Sequence, residues 1–281
     1  MQHKVYITSS SSINPGFSGE PDYKDFIRDA TVRRRMSRAV KMGVAAALQC
    51  LSGTETAPDA IITATGLGCL GDTEKFLKIL IENGEDLLNP TPFIQSTFNT
   101  VGAQIAIILK NMNYNNTYVH RGIAFESALL DGMMKLSEGE AKNVLVGSYE
   151  ELTDTSLAVQ SRLGFYRKGN KAGEGAAFFL LSSEKTSDYI LKDIAFAFRP
   201  SEEALQEKLQ AFLAKNNLTE EDIDFRFSDK DYKPLSGDYQ TVSSFALWLG
   251  MREMKERNVR RMLIHNHFLN INHTFILVER E

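Results

Sequence analysis

The chain has 281 residues, 43% of them hydrophobic and 24% charged, enough to bury one large core or two fused half-domains. A formal net charge of -4 argues against a nucleic-acid binder, which is normally basic. Two cysteines, Cys50 and Cys69, exclude a disulfide framework and suit a reducing compartment.

The first half is predicted to open with a short strand near Val5–Thr8. A long helix follows, carrying apolar or small residues at Val32, Met36, Val40, Val44, Ala47 and Leu51, a helical spacing. Next come a strand at Ala60–Thr65, a helix at Glu74–Ile81 and a helix through Val101–Leu109. A strand at Thr117–His120 leads into a helix over Ala124–Leu136, and strands at Val144–Gly147 and Ala177–Leu181 close the half. The second half repeats this grammar in fewer residues. A strand at Ile190–Phe198 and a helix at Glu203–Lys215 precede the acidic turn Thr219-Glu220-Glu221-Asp222. A strand at Asp224–Phe227, a helix at Thr241–Glu256 and strands at Met262–His267 and Thr274–Val278 complete it. Strands alternating with helices imply an α/β fold with a largely parallel, buried sheet. The polar stretch Ser182–Asp188 marks the joint, which divides the chain at 1–184 and 185–281.

No stretch approaches the roughly 20 apolar residues of a membrane span. The opening Met1-Gln2-His3-Lys4-Val5-Tyr6-Ile7 has no apolar run suited to a signal peptide, so a cytoplasmic location is expected. The sequons at Asn115, Asn217 and Asn272 then carry no meaning. Two basic clusters stand out: Arg33-Arg34-Arg35 with Arg38, and Arg252, Lys255, Arg257, Arg260 and Arg261. Either could receive an acidic protein partner, but for either cluster alone a solvated helix face is the better reading.

Gly66-Leu67-Gly68-Cys69-Leu70-Gly71 matches G-x-G-x-x-G between a strand and a helix. It does not follow the first strand, and no second strand places an acidic residue for a ribose, so a glycine-rich turn is the better reading and no cofactor is expected. His265, His267 and His273 lack a companion cysteine or carboxylate at metal spacing, and no metal is expected. Cys69, beside Leu67 and Leu70, and Cys50, in an apolar helical row, read as packing rather than nucleophiles. The segment Thr117–Leu129 is a strand, a sharp turn at Gly122 and a mostly apolar helix. Such turns lift a nucleophile to a helix N-terminus, yet glycine cannot attack. His120, Glu126 and Ser127 lie near it as another conceivable set, although Ser127 is a turn into the helix, where packing explains it.

Five stretches together resemble the β-ketoacyl synthase branch of the thiolase superfamily. These are Arg34-Arg35-Met36-Ser37, the turn at Gly122, Ser148-Tyr149-Glu150 after its strand, Gly173-Glu174-Gly175-Ala176, and Lys233-Pro234-Leu235-Ser236-Gly237-Asp238. The stretch Asp59–Ile81 further resembles ketosynthase-like proteins of aryl-polyene or flexirubin pigment clusters. The resemblance implies a thiolase-like fold: two fused βαβα halves in an αβαβα layered sandwich, the second half shortened. It also implies an acyl carrier protein as partner, and a dimer with itself or with an active ketosynthase. The family's acyl-transfer residues are missing. Its nucleophilic cysteine falls on Gly122, its two histidines on Asp229 and Asp238, and only Lys233 is retained. The acidic segment Asp229-Lys230-Asp231-Tyr232 is short, so Lys233 is expected to lack its carboxylate partner. A glycine-rich turn near the C-terminus reads Leu269-Asn270-Ile271-Asn272, whose side chains would hinder close backbone approach. No catalytic residue is expected, and the implied role is a non-catalytic, chain-length-factor-like subunit. Two other readings stay open: an active acyltransferase with unrecognised catalytic residues, and a homodimeric carrier-protein binder without chemistry.

Overall fold

The computed structural model describes residues 4–54, 56–166 and 169–281. Met1–His3, part of the stretch read for a leader, lie outside it. The first half comprises β1 (Val5–Ile13), the short helices α1 (Pro15–Ser18) and α2 (Ala30–Arg35), α3 (Arg38–Leu51), β2 (Ala60–Ala64), α4 (Leu70–Glu82), α5 (Pro90–Gln95), α6 (Thr100–Leu109), β3 (Tyr114–Tyr118), α7 (Ala124–Ser137), β4 (Asn143–Glu150), α8 (Asp154–Leu163) and β5 (Gly175–Ser182). The second comprises β6 (Tyr189–Phe198), α9 (Glu202–Lys215), β7 (Phe225–Ser228), α10 (Asp229–Ser236), α11 (Ser243–Arg257), β8 (Arg261–Phe268) and β9 (Asn272–Arg280).

The nine strands form one sheet in the order β3-β2-β4-β5-β1-β6-β9-β8-β7. Each half carries the same pattern outward from the β1·β6 contact. β5 and β9 run antiparallel to β1 and β6, β4 and β8 antiparallel to those, and β2 and β7 parallel to β4 and β8. The first half adds β3, parallel to β2, for which the second half has no counterpart. The second half is shorter also in its helices, with three α-helices among the described residues against eight in the first. The sheet is mixed rather than largely parallel, because hairpin-like returns, such as β8 to β9, reverse direction without a crossover helix.

Helix layers follow from burial. α7 and α11 lie in the middle, where Phe125, Leu129, Phe245 and Ala246 pack with strand residues of both halves, among them Val146, Phe179, Ile264 and Ile276. α3 and α6 cover the other face of the first half, and α9 that of the second. The layers therefore run α, β, α, β, α. β5 is buried at every residue, and its run Phe178-Phe179-Leu180-Leu181 feeds both neighbouring cores, as a strand covered on both faces must.

The long helix expected from Val32 to Leu51 is broken. Met36 is extended (ψ 137°) and buried, and Ser37 takes an N-cap conformation that starts α3 afresh. The short acidic segment after β7 opens α10, started by a capping box in which Asp231 accepts from the Ser228 backbone N–H and hydroxyl at 2.8 and 2.7 Å.

Candidate functional site

The motifs singled out along the chain meet in space. Gly173 and Gly237 approach so closely that a Cβ on Gly173 would lie 2.5 Å from Ser236 O and 2.7 Å from Gly237 Cα. Only glycine permits that contact, and Gly237 also holds a left-handed φ of 76°. The Gly173 N–H donates to Asp238 O (3.0 Å) and the Asp238 N–H to Lys171 O (2.7 Å), so the Gly-Glu-Gly-Ala stretch carries the turn bearing Asp238. Glu174, between the glycines, takes a bidentate pair from Arg38 at 2.7 and 2.6 Å and the Leu152 N–H at 3.0 Å. Arg38 reaches Glu20 as well, so this member of the first basic cluster is committed to structure. Arg34 and Arg35 are exposed and form no ion pair among the described residues. In the second cluster, Arg252 lies over Trp248, Arg257 binds Glu253, and Arg261 binds Glu279 and Asp222.

Beside the paired glycines lies a cavity of about 290 Å³. Asp229 at the start of α10, Lys233 one turn on, and Asp238 after the helix all line it. Lys233 Nζ is 3.2 Å from Asp238 Oδ1 and 4.0 Å from Asp229 Oδ2, so the lysine does not lack carboxylate partners. The expectation fails because α10 is a true helix, which places positions four apart on one face. Asp229 Oδ2 also meets His267 Nε2 at 2.9 Å. The His267 contact and the Lys233 ammonium hold the Asp229 carboxyl below the usual range, against the effect of its partial burial. The cavity is completed by Gln160, Tyr166, Tyr239 and Gln240, and by Phe165, Phe268, Leu269 and Asn270. Leu269 and Asn270 turn the β8–β9 hairpin with left-handed φ values of 55° and 53°.

Gly122 lies behind this wall. A Cβ on it would collide with the Phe268 side chain, whose Cδ2 would stand 2.6 Å away and whose Cβ and Cγ closer still. The Gly122 carbonyl accepts from Asn266 Nδ2 at 3.1 Å. Alternation along β8 explains both contacts: Asn266 and Phe268 point towards the Gly122 turn and α7, whereas His265 stacks on Phe275 of the opposite face and His267 reaches Asp229. Asn266 also donates to Glu126 Oε1 (2.8 Å), as does the Thr274 hydroxyl (2.8 Å), and the Tyr232 hydroxyl donates to Asn266 Oδ1 (3.1 Å). Glu126 is fully buried, and burial raises its carboxyl despite those donors. His120 and Ser127 meet each other at 3.1 Å, Ser127 donates to Ile123 O, and neither is bonded to Glu126, so the three form no catalytic set.

The other candidates resolve by contact. The amides of the Gly-x-G-x-x-Gly turn are occupied: Gly66 and Leu67 donate to Glu150, and Gly71 to Glu151 at 2.8 Å. Two carboxylates stand where a phosphate would have to bind. Burial pushes Glu150 up to about 7, against hydrogen bonds from Gly66, Thr65 and Leu67. Cys69 is fully buried and its thiol is pushed up to about 12, first by burial; Cys50 is pushed to about 11 for the same leading reason. His265 stacks on Phe275 (4.9 Å) and meets His273 at 3.1 Å; burial and the neighbouring imidazoles lower it to about 4. Among the described residues no group of three or more His, Cys, Asp or Glu is placed to hold a metal ion, and no helix is long and apolar enough to cross a membrane.

Sequence reasoning singled out Asp229, Lys233 and Asp238, weighed His267 only as a metal ligand, and missed Phe268, Tyr166 and Gln240. The one signal for Phe268 was its place in the inward-facing alternation Met262, Ile264, Asn266, Phe268.

Solved structures share the fold. The ishigamide ketosynthase/chain length factor superposes with a TM-score of 0.83 at 13% identity, over 99% of both chains. A type II polyketide ketosynthase in complex with its acyl carrier protein gives 0.83 at 14%, over 100% of both chains. A ketosynthase in complex with its chain length factor from Xenorhabdus doucetiae gives 0.80 at 12%, over 99% of this chain and 98% of that one. No curated protein matches the chain in sequence. The profile of the β-ketoacyl synthase N-terminal domain matches residues 19–183, more than half of the sequence. With that profile match and a thiolase-like αβαβα sandwich, the chain belongs to the β-ketoacyl synthase family.

Proposed function

We propose that the chain is a non-catalytic ketosynthase-like subunit, akin to a chain length factor, that assists acyl chain elongation beside an active ketosynthase in the cytoplasm. The observation that carries this reading is the content of the cavity. Condensation needs a thiolate to take the acyl group and neutral imidazoles to stabilise the oxyanion formed on decarboxylation. At the positions the family resemblance assigns to these groups stand the Asp229 and Asp238 carboxylates, bridged by Lys233 in the cavity, and Gly122, behind its wall and covered by Phe268. An ionised aspartate repels a developing enolate, which disfavours residual decarboxylation as well. The same reading divides the chain at 184 and 185 into an N-terminal half and a shortened C-terminal half.

Surface features support the partners. β3 is an open sheet edge, flanked by exposed Ile107, Met112, Tyr114 and Met134. An unpaired edge beside apolar side chains favours a subunit interface over solvent. Arg34 and Arg35, unpaired among the described residues, suit an acidic carrier protein. Two of the relatives above are solved as complexes of these kinds, a ketosynthase with its chain length factor and a ketosynthase with its carrier protein.

Coexpression with a cysteine-bearing ketosynthase tests the reading. A stable heterodimer is expected, in which elongation depends on both chains while the acyl adduct forms on the partner only. A covalent acyl adduct on this chain, or a homodimer that ignores the ketosynthase, overturns it.

A further inference from the structure

Gly122 raises a question that loss of a nucleophile does not answer: why glycine, when any small residue would be equally inert. Its φ is not in the left-handed region, which at this turn is occupied by Arg121 (φ 50°), so the backbone at 122 accepts a side chain. What excludes a side chain is Phe268. Its Cβ, Cγ and Cδ2 fill the volume that a Cβ at 122 would enter. The phenyl ring is fixed from two sides: Asn266, two residues earlier on the same face, is bonded to Gly122 O and Glu126, and the Phe165 ring lies 6.3 Å away, centroid to centroid.

We propose that Phe268 is a stopper that occupies the volume a side chain at 122 would fill, so that the two residues form a compensated large–small pair that closes the cavity. The cavity then ends at the Phe268 and Phe165 rings, and what remains in front of them is a short chamber lined by Asp229, Lys233, Asp238 and Tyr166. A chamber of this size and charge admits a compact, hydrogen-bonding group and excludes a long apolar chain. Acyl chain held by a dimer containing this subunit lies elsewhere than in this cavity. That last consequence rests on the reading proposed above; the stopper does not.

The test is a thermal double-mutant cycle with a chemical readout. Gly122→Ala normally stabilises where φ permits a side chain; here it is expected to lower the unfolding midpoint by about 5 °C or more, as overpacking does in a chain of this size. In the Phe268→Gly background the same substitution is expected to cost less than half as much. The thiol introduced by Gly122→Cys in that background is expected to react with iodoacetamide in the folded protein, located by peptide mass apart from Cys50 and Cys69. Phe268→Ala is not a substitute, because it keeps the Cβ that collides. An unchanged or raised midpoint for Gly122→Ala alone overturns the proposal, even if the Phe268→Gly variants fail to fold. So do equal losses in both backgrounds, or a folded double variant whose new thiol stays unreactive. None of these outcomes depends on a partner, so they stand apart from the coexpression result.

Discussion

Asp238 Oδ1 lies 3.2 Å from Lys233 Nζ, and the same ammonium reaches Asp229 Oδ2 at 4.0 Å. One cation thus serves two carboxylates at the cavity floor, in positions the family resemblance reserves for two imidazoles. All three side chains are mostly covered, which weakens solvent screening. Lys233→Met is therefore expected to leave both aspartates under-compensated and to cost about 1–2 kcal/mol in urea unfolding, less than a fully buried pair would. His267 remains bound to Asp229, so Asp238 bears most of the loss. Combining Lys233→Met with Asp238→Asn is expected to recover stability, and no recovery would mean that the pair does not act as a unit.

Glu150 links the end of β4 to the Gly66-Leu67 amides, and burial raises it to about 7. A carboxyl raised in the folded state binds a proton there that the unfolded chain has released. Its stabilising effect is complete below the unfolded value of 4.5 and is lost as pH rises through about 7. Unfolding midpoints measured from pH 5 to 8 should show this loss, on the order of 2–3 kcal/mol. Glu150→Gln keeps an acceptor for Gly66 but cannot ionise. The variant is expected to match the parent near pH 5 and to exceed it near pH 8, with a flatter profile between.

Glu126 offers a contrast of shape against charge. Asn266 and Thr274 both donate to its Oε1 in a fully buried place. Glu126→Gln keeps that acceptor and is expected to fold with near-parental stability at neutral pH. Glu126→Ala strands both donors and opens a void, at a cost of about 2–5 kcal/mol by chemical denaturation. Equal stability of the two variants would show that the hydrogen bonds contribute nothing.

The open edge at β3 yields a prediction about assembly. Ile107 and Met112 are 66% and 95% exposed, so Ile107→Glu/Met112→Glu should leave the monomer's unfolding midpoint within about 1 kcal/mol. If the edge is the subunit interface, the same variant abolishes the heterodimer in size-exclusion chromatography with light scattering. A dimer of unchanged affinity would place the interface elsewhere.

Charge reversal at Arg34→Glu/Arg35→Glu is expected to weaken carrier-protein binding about tenfold at low salt and much less at high salt, because exposed charges act through a screened field. Isothermal titration at two ionic strengths reads this directly. A salt-independent affinity would discard the electrostatic docking.

Local and periodic features were legible in the residues themselves. The buried run of β5, the 3.6-residue spacing of α3, the Gly122 turn and the order of the five family stretches each depend on neighbours in sequence, and they announced an α/β fold. Contacts between distant segments were not legible. The bond between Asn266 and Gly122 joins positions 144 apart, and Phe268 meets Gly122 across a gap two residues longer; no periodicity in either segment encodes the meeting. The helix α10, which sets Asp229 one turn before Lys233, arises from a cap that a short acidic stretch does not advertise. Sequence by itself determined which groups were absent: a residue type is a local fact, and glycine holds no sulfur wherever it is placed. Only the tertiary structure decided what fills the emptied space, because close packing is settled by whichever side chains the fold brings face to face.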